Sequence, residues 1–258
     1  MNIAVLVKQV PDTATRIVLK ADGSGIDETG VKWVLNPYDE FAVEAALQLQ
    51  QQLGGGDVVI ISAGPARAVE AIRTALAMGA TRAVRINTDG AAVDSYTTAL
   101  ALAAVLKSEQ CELVLGGKQA VDDDAGQVMH GVAEQLGWPI IAPIEKLVLS
   151  ADGRTVTVHR ASSGGLTEII EAPLPLVLAC DKGLNAPRYP SLPGIMKAKA
   201  KPLVEKNIAE LLNGETARIA ITGYSLPPER AAGKKITGEP EDVATQLVQW
   251  LRDEVKIF

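Results

Sequence analysis

The residues best suited to chemistry in this 258-residue chain lie in one glycine-rich and acidic stretch. It runs Gly116-Gly117-Lys118-Gln119-Ala120-Val121-Asp122-Asp123-Asp124-Ala125-Gly126-Gln127-Val128 and follows the apolar run Leu113-Val114-Leu115. Glycines at the carboxyl end of a strand leave backbone N–H groups open to an anion where a helix begins. That edge of a parallel sheet is also where ligands bind. The stretch therefore predicts a phosphate-binding turn.

The three carboxylates in this stretch leave alternatives open. The same residues fit a plain strand–helix turn in which Asp122, Asp123 and Asp124 cap the helix. Beside a bound phosphate, these carboxylates would have to turn toward the helix N-terminus or toward a ribose. A metal site is the weaker interpretation, because consecutive residues rarely converge on one ion, and we expect none.

Side chains typical of catalysis are scarce. The two histidines, His130 and His159, have no Cys, Asp or Glu partners at metal-ligand spacing. The two cysteines, Cys111 and Cys180, form no Cys-x-x-Cys motif and are interpreted as buried thiols. The sequence also lacks a phosphate loop, a nucleophile elbow and a dinucleotide motif after its first strand. We therefore predict a protein that binds a ligand and has no catalytic residue.

Composition indicates a folded protein and argues against two classes of partner. Hydrophobic residues make up 47% of the chain and charged residues 22%, as in ordinary globular domains. The formal net charge of −6 argues against nucleic-acid binding. The sequence has no run of about 20 apolar residues, the length that spans a bilayer. We expect a cytoplasmic bacterial protein with no signal or transit peptide and no membrane insertion.

Strands and helices alternate through the first ~115 residues, which predicts a parallel sheet with crossover helices. Strands are predicted at residues 3–7, 58–61, 83–86 and 113–115, and helices at residues 37–53, 66–78, 94–107 and 124–136. Asn36 is expected to cap the first helix, with Pro37 at its first position. Residues 36–39 and 62–65 then join the glycine-rich stretch at one sheet edge and outline a nucleotide-sized pocket.

The second half of the chain has a different pattern. Short β-rich segments near residues 145–150, 155–160, 167–171 and 176–179 either extend the same sheet or form a small attached one. Residues 181–202 are predicted to be a loop that carries Lys182, Lys197, Lys199 and Lys201. A linker marked by Pro and Gly precedes an amphipathic helix from about Glu241, whose apolar stripe packs on its own domain or on a partner.

Several stretches together resemble one family. They are residues 7–12, 36–40, 72–80, 117–124 and 184–199, with a further pattern through residues 158–179 that departs only at Ser163, where an acidic residue is usual. Over nearly its whole length the chain resembles the β subunit of electron transfer flavoproteins. The resemblance favours a partner as the surface on which the C-terminal helix packs.

The resemblance implies a fold and an activity. The fold would be α/β, a doubly wound, mostly parallel sheet of the adenine-nucleotide-hydrolase-like (HUP) type, with added short strands and a C-terminal helical arm. Residues 1–205 would form the nucleotide-binding domain, with a recognition loop at 184–201, and residues 206–258 an arm on the α subunit. The chain would bind AMP structurally, with FAD at the interface held mainly by the α subunit. The heterodimer would carry electrons from acyl-CoA dehydrogenases and other flavin dehydrogenases to a membrane quinone oxidoreductase.

The resemblance also implies site residues. The AMP contacts would be Leu6, Asn36, Pro37, Tyr38, Asp39, Ala63, Gly117, Lys118, Gln119, Ala120, Val121, Asp122, Asp123, Asp124, Gly126, Gln127 and Val128. Pro11, Asp12 and Thr13 would face the flavin. Leu192, Ile195, Met196, Lys197 and Lys199 would dock on dehydrogenases, with Leu192 as a single exposed apolar anchor.

Two alternatives stay open. An electron-bifurcating flavoprotein would hold a second FAD in place of AMP, with hydroxyls in residues 94–98 at a helix N-terminus binding the extra diphosphate. A solitary nucleotide-binding sensor of the universal-stress type would share the fold but would need neither the recognition loop nor the arm.

Overall fold

The computed structural model describes residues 1–228 and 232–257. The strands are β1 (Ile3–Leu6), β2 (Gln9–Pro11), β3 (Trp33–Leu35), β4 (Val58–Gly64), β5 (Arg82–Asn87), β6 (Leu113–Gly117), β7 (Ile140–Leu149), β8 (Thr155–Ala161), β9 (Thr167–Pro173), β10 (Leu176–Cys180) and β11 (Leu203–Asn207). The helices are α1 (Pro37–Gln52), α2 (Val69–Met78), α3 (Ser95–Glu109), α4 (Val128–Leu136), α5 (Leu192–Ala200), α6 (Ile208–Leu211) and α7 (Pro240–Trp250).

Nine of these strands form one sheet in the order β11-β5-β4-β1-β6-β10-β7-β8-β9. The strands from β11 to β7 pair in parallel, and β8 and β9 add an antiparallel extension beyond β7. The predicted parallel sheet is confirmed. Of the two interpretations of the β-rich segments, extension of the same sheet is the one observed.

Helices cover both faces of the sheet. Along β1, Ile3 and Val5 pack with α1 and α2 on one face, whereas Ala4 and Leu6 pack with α3 and α4 on the other. All four residues are buried, as their continuous apolar run predicts for a strand covered on both sides. The architecture is therefore three-layered, with the sheet between two layers of helices.

Helix α4 begins later than predicted. The prediction placed its start at Asp124, but the helix starts at Val128. Asp124 and Gly126 both adopt left-handed backbone conformations, with φ of 50° and 61°, and such residues cannot continue into a right-handed helix. Residues 121–127 consequently form a turn between β6 and α4. Helix α4 ends at Gly137, which adopts the left-handed conformation common just after a helix.

The predicted loop at residues 181–202 is wrong in its second half, where α5 forms. The hydroxyl of Ser191 caps α5 by accepting a hydrogen bond from the Gly194 N–H at 3.1 Å. Gly194 itself lies against α2, since a Cβ there would come within 2.6 Å of the Ala77 carbonyl oxygen. Close packing on α2 therefore makes a helix of a segment whose lysines and prolines suggest a loop.

The sheet core extends past β11. Ile208 and Leu212 are buried among residues of α3 and the sheet. In contrast, none of the residues of α7, or of the π-helical turn Leu251–Val255 that follows it, is buried. In the parts of the chain that the model describes, no helix is both long and apolar enough to cross a bilayer.

Candidate functional site

A cleft of about 860 Å³ opens at the carboxyl ends of β1 and β6. Strand β1 pairs with β4 on one side and with β6 on the other. The sheet extends from β1 through β4 and β5 in one direction and through β6 and β10 in the other. Crossover connections therefore diverge at this point, and such a switch point is where open α/β sheets bind ligands. The volume lies within the usual range for small-molecule sites.

Most of the predicted nucleotide contacts line this cleft. Those that do are Leu6, Asn36, Asp39, Ala63, Gly117, Lys118, Gln119, Ala120, Asp123, Gly126, Gln127 and Val128. Pro37, Tyr38, Val121, Asp122 and Asp124 lie beside it but outside its lining. The three turns that the sequence placed at one edge are thus brought together.

Asp39 joins the ends of β1 and β6 beneath the cleft. Its Oδ2 accepts a hydrogen bond from the Lys8 N–H at 2.7 Å, and its Oδ1 accepts one from the Gly117 N–H at 2.9 Å. Burial raises the pKa of Asp39 to about 7, although these N–H groups and the Asn36 amide favour the charged form. The carboxylate thus accepts hydrogen bonds from two backbone N–H groups at the ends of these strands.

Gly117 has a different role from the one predicted. Its N–H is bound to Asp39, and the Lys118 N–H donates to the Cys180 carbonyl at 2.9 Å. Neither N–H is therefore free to bind a phosphate. Glycine is needed at 117 because a Cβ would lie 2.4 Å from Asp39 Oδ1 and 2.6 Å from Tyr38 Cβ.

The N-terminus of α4 presents the open N–H groups instead. Gln127 occupies the N-cap position, and no side chain caps the helix there. Gln127, Val128 and Met129 line the cleft. The first N–H groups of a helix have no intrahelical partner and carry partial positive charge. The cleft therefore has an anion-binding end at α4.

A lysine pairs with two of the three carboxylates of the acidic run. Lys8 Nζ lies 2.8 Å from Asp122 Oδ1 and 3.1 Å from Asp123 Oδ2. Burial works to lower the pKa of Lys8, but the hydrogen bonds and charges of these two carboxylates raise it overall. Asp124 accepts a hydrogen bond from the Gln119 amide at 2.7 Å. In the described part of the chain, no three His, Cys, Asp or Glu side chains are grouped to hold a metal ion.

Asn36 was predicted to cap α1, but its side chain binds the glycine-rich turn instead. It stands at the N-cap position, with Pro37 following as expected, but its side chain makes no capping hydrogen bond. The buried amide instead donates to the Gln119 carbonyl at 3.0 Å, and its oxygen accepts from the Val121 N–H at 3.2 Å. It thereby fixes the turn that leads to α4.

One wall of the cleft was not predicted as a nucleotide contact. Residues 217–221 line it together with Thr88, Val93, Asp94, Ser95 and Thr98. The sequence predicts residues 94–98 as a helix start and as a diphosphate site in the two-FAD alternative, but not as an AMP contact. Residues 217–221 have no periodicity or motif, and their ties to Asp94 are made by backbone N–H groups, which no sequence pattern encodes.

Comparison with known proteins decides the family. A model of the electron transfer flavoprotein domain matches residues 24–211. The chain is 42% identical to electron transfer flavoprotein subunit beta of Syntrophomonas wolfei, over all of this chain and 99% of that one. It is 41% identical to the subunit of the same name from Bacillus subtilis over the full length of both, and 37% identical to that of Homo sapiens over 96% of each. The chain belongs to the electron transfer flavoprotein β-subunit family. This is a family of electron carriers, and the resemblance inferred from the sequence is confirmed.

In this electron transfer flavoprotein subunit, the predicted flavin-facing residues lie at the end of β2. Pro11 closes the strand, and Asp12 accepts hydrogen bonds from Lys32 Nζ at 2.8 Å and from the Ala14 N–H at 3.0 Å. Lys32 and Ala14 lower the pKa of Asp12. Thr13 is exposed at the tip of the turn. Their approach to a flavin stays a prediction.

The predicted docking residues lie on α5. Leu192 and Met196 are 79% and 75% exposed, and Tyr189 and Ile195 are exposed beside them. We call Tyr189, Leu192, Ile195 and Met196 the recognition surface. The expected single exposed leucine is therefore one of four apolar side chains. Lys197 and Lys199 are exposed next to this surface.

The chain before α5 is anchored on α1. Arg188 forms a bidentate pair with Glu44, with Nε–Oε2 and Nη2–Oε1 distances of 2.7 and 2.9 Å. Burial works to raise the pKa of Glu44, but Arg188 holds it below its usual value. Asn185 donates to the Phe41 carbonyl at 2.9 Å. The recognition surface thus begins from a fixed point on the domain.

Proposed function

We propose that this chain is the β subunit of a heterodimeric electron transfer flavoprotein and binds one AMP structurally in the cleft. Its α subunit would hold the redox-active FAD near Pro11, Asp12 and Thr13. The heterodimer would carry electrons from acyl-CoA dehydrogenases and other flavin dehydrogenases to a membrane quinone oxidoreductase. The chain itself would supply binding and orientation, without catalytic residues.

The observation that carries this proposal is the uncapped N-terminus of α4 at one end of the cleft. A phosphomonoester there would meet unpaired N–H groups and the positive end of a helix dipole. The nearby carboxylates Asp122 and Asp123 are paired with Lys8, so they repel an anion less than free carboxylates would. The strand order around β1 also supports assignment to the adenine-nucleotide-hydrolase-like (HUP) type.

A bifurcating subunit with a second FAD is the alternative, because the cleft reaches Ser95 and Thr98 at the N-terminus of α3. Asp94 opposes it. Its carboxylate already caps α3 by accepting the Thr97 N–H at 2.8 Å, and its negative charge would repel a diphosphate placed there. We therefore favour AMP. Family membership over the whole chain disfavours a solitary universal-stress-type sensor.

The C-terminal arm supports a heterodimer. Helix α7 and the turn that follows it carry an apolar stripe that includes Val243, Leu247 and Leu251, and none of their residues is buried in the isolated chain. An amphipathic helix is marginal in water without a surface for its apolar face. We propose that residues 206–258 form the arm, that residues 1–205 form the nucleotide-binding domain, and that α7 packs on the α subunit.

Nucleotide stoichiometry tests the proposal. The chain is co-expressed with its α subunit, purified, and denatured, and the released nucleotides are separated and weighed by mass spectrometry. One FAD and one AMP per heterodimer are expected, and the β chain expressed alone should be colourless. Two FAD per heterodimer, or flavin absorbance in the isolated β chain, would favour the bifurcating alternative.

A further inference from the structure

A short segment outside the sheet forms part of the cleft wall. Residues 215–224, which we call the strap, follow α6 and lead into the linker before α7; they belong to no helix or strand. Residues 217–221 of the strap line the cleft. The strap is fixed to the domain by contacts outside the sheet.

Asp94 makes the main contact with the strap. Its Oδ1 accepts from the Thr97 N–H and hydroxyl, each at 2.8 Å, and so caps α3. Its Oδ2 accepts from the Arg218 N–H at 2.7 Å and from the Ile219 N–H at 3.1 Å. One carboxylate therefore binds the helix with one oxygen and the strap with the other.

This carboxylate stays charged over the whole physiological pH range. Burial works to raise the pKa of Asp94, but the N–H groups of Thr97, Arg218 and Ile219 and the Thr97 hydroxyl hold it at about 2. Hydrogen bonds to an ionised acceptor are about twice as strong as neutral ones. The contact between α3 and the strap is consequently stronger than an ordinary loop contact.

Further contacts hold the strap at both ends. The Arg218 guanidinium stacks on the Tyr96 ring at 3.6 Å from its centroid, and the Tyr96 hydroxyl donates to Glu215 Oε2 at 3.1 Å. Beyond the cleft, the Tyr224 N–H donates to the Gly23 carbonyl at 2.9 Å. The strap is thus tied on both sides of the residues that line the cleft.

The apolar side chains of the strap are left uncovered at the cleft. Ile219 and Ile221 are 67% and 70% exposed although both belong to the cleft lining. A molecule held in the cleft would remove part of their surface from water, which is favourable at about 25 cal/mol per Å². The strap therefore gains contacts when the cleft is filled.

We propose that the strap closes the ligand cleft and that Asp94 is the positioning residue that holds it shut, so that a bound nucleotide leaves only when the strap detaches from α3. The nature of the ligand in this inference rests on the proposed AMP function. The attachment of the strap to α3 does not, because it consists of hydrogen bonds between residues of this chain.

The variant Asp94→Asn separates the two roles of this side chain, which are to cap α3 and to bind the strap. Asparagine is an equally good N-cap, so its amide oxygen can keep the bond to Thr97, while its NH₂ group faces the Arg218 and Ile219 N–H groups as a second donor. Thr97→Val is the matched control, since it removes the capping hydroxyl and leaves Oδ2 of Asp94 on the strap. Arg218→Ala, which removes the stack on Tyr96, is a second variant at an exposed position.

Two measurements are made on the purified protein: the dissociation rate of radiolabelled AMP, and amide hydrogen exchange in residues 216–222. Asp94→Asn should release AMP at least about tenfold faster and lose protection at Arg218 and Ile219, as expected for two lost charge-assisted hydrogen bonds. Arg218→Ala should release AMP faster by a smaller factor. Thr97→Val should lower the melting temperature but leave both measurements unchanged.

The outcomes that overturn the inference are distinct from failure of the AMP assignment. Native AMP release in both Asp94→Asn and Arg218→Ala would mean that the strap does not close the cleft. Equal acceleration by Thr97→Val would assign the effect to the helix cap. If the native protein binds no labelled AMP, the proposed ligand is wrong, and hydrogen exchange alone tests the role of Asp94. Loss of amide protection in Asp94→Asn but not in Thr97→Val would support the attachment of the strap by Asp94. The same protection in Asp94→Asn as in the native protein would overturn it.

Discussion

At the level of single residues, the site depends on polar groups that hold strand ends together. The N–H groups of Lys8 and Gly117 emerge where β1 and β6 stop, and an unpaired buried N–H group is costly. Asp39 satisfies both from the first turn of α1. The cleft floor therefore requires a buried carboxylate on one side and the absence of a side chain at 117 on the other.

Asp39 should make the free energy of unfolding decrease as pH rises. Burial raises its pKa to about 7, whereas an unfolded Asp titrates near about 4. Between these values the folded state holds a proton that the unfolded chain releases, so the free energy of unfolding falls as pH rises from about 4 to about 7. Asp39→Asn should lack this component.

Urea denaturation of native protein and Asp39→Asn, followed by circular dichroism across this pH range, checks the prediction. The difference in unfolding free energy, native minus variant, should decline with rising pH by an amount on the order of a few kcal/mol. It should be level above pH ~7. A difference independent of pH would mean that Asp39 is ionised throughout.

Replacement of Gly117 by any larger residue should destabilise the protein. In Gly117→Ala the new methyl group would lie 2.4 Å from Asp39 Oδ1 and 2.6 Å from Tyr38 Cβ, and overpacking of this kind costs about 1–3 kcal/mol. We expect a loss of stability in that range together with a lower AMP content. Gly25→Ala, where the added Cβ meets open space, should stay within about 0.5 kcal/mol of native. Equal stability of the two variants would remove the packing argument.

At the level of elements, α2 and α5 cap each other. Arg73 of α2 donates to the carbonyls of Ala198 and Lys201 at 2.6 and 2.9 Å, at the end of α5. Lys201 Nζ donates to the carbonyls of Leu76 and Ala80 at 2.9 and 2.6 Å, at the end of α2. Each cation meets the negative end of the other helix. Lys201 is thus a structural residue, unlike the neighbouring exposed lysines.

Lys201→Met should therefore destabilise the domain, because it leaves two carbonyls without a charged donor. We expect a loss of about 1–3 kcal/mol by urea denaturation, with increased hydrogen exchange in α5. Lys199→Met, at an exposed position two residues earlier, should change stability by less than about 0.5 kcal/mol. A Lys201→Met variant as stable as Lys199→Met would show that the helices dock without this cap.

Local sequence patterns predicted the elements that depend on local physics. The continuous apolar runs predicted β1, β4, β5 and β6, and the predicted end of α4 at residue 136 agrees with the structure. Helix α5 was missed because its stability comes from Arg73 and from close packing of Gly194 on Ala77, and both of these α2 residues are distant in sequence from α5. The strap was missed as a wall of the cleft for a similar reason, since its backbone N–H groups bind Asp94. At the cleft, sequence alone placed Asn36 and Asp39 at the right edge, but their hydrogen-bond partners follow from the folded chain.

At the level of the whole molecule, two of the apolar surfaces formed by the described residues concern the proposed partners. One is the recognition surface on α5, and the other is the stripe of α7. The sheet core forms without either, since Leu192, Met196 and Leu247 are exposed while the residues beneath α5 and around β1 are buried. Substitutions on these two surfaces should therefore have little effect on folding, so the proposed partner binding can be tested separately from stability.

Leu192→Ala should slow electron transfer from acyl-CoA dehydrogenases and leave flavin content, AMP content and heterodimer stability nearly unchanged. An anchor that is 79% exposed in the free chain contributes little to folding. Truncating it at an interface typically costs about 2 kcal/mol, a factor of roughly 30 in affinity. Steady-state reduction of the heterodimer at varied carrier concentration measures this. Leu166→Ala, at a leucine outside α5 that is 68% exposed, is the control. Native rates for Leu192→Ala with several dehydrogenases would contradict docking through Leu192.

The lysines beside the recognition surface should act by a different mechanism, which salt can separate from that of the anchor. Lys197 and Lys199 are exposed and point their charges into solvent rather than into a helix end. Charges of this kind raise association rates, and their effect is screened beyond about 10 Å at 0.1 M salt. The double variant Lys197→Gln with Lys199→Gln should therefore lower the association rate at low salt, and this loss should shrink as salt rises. The loss of rate in Leu192→Ala should persist at all salt concentrations.

Stopped-flow reduction by a dehydrogenase across a salt series makes the comparison. A lysine deficit unchanged by salt would mean that these residues bind the partner directly and do not steer it.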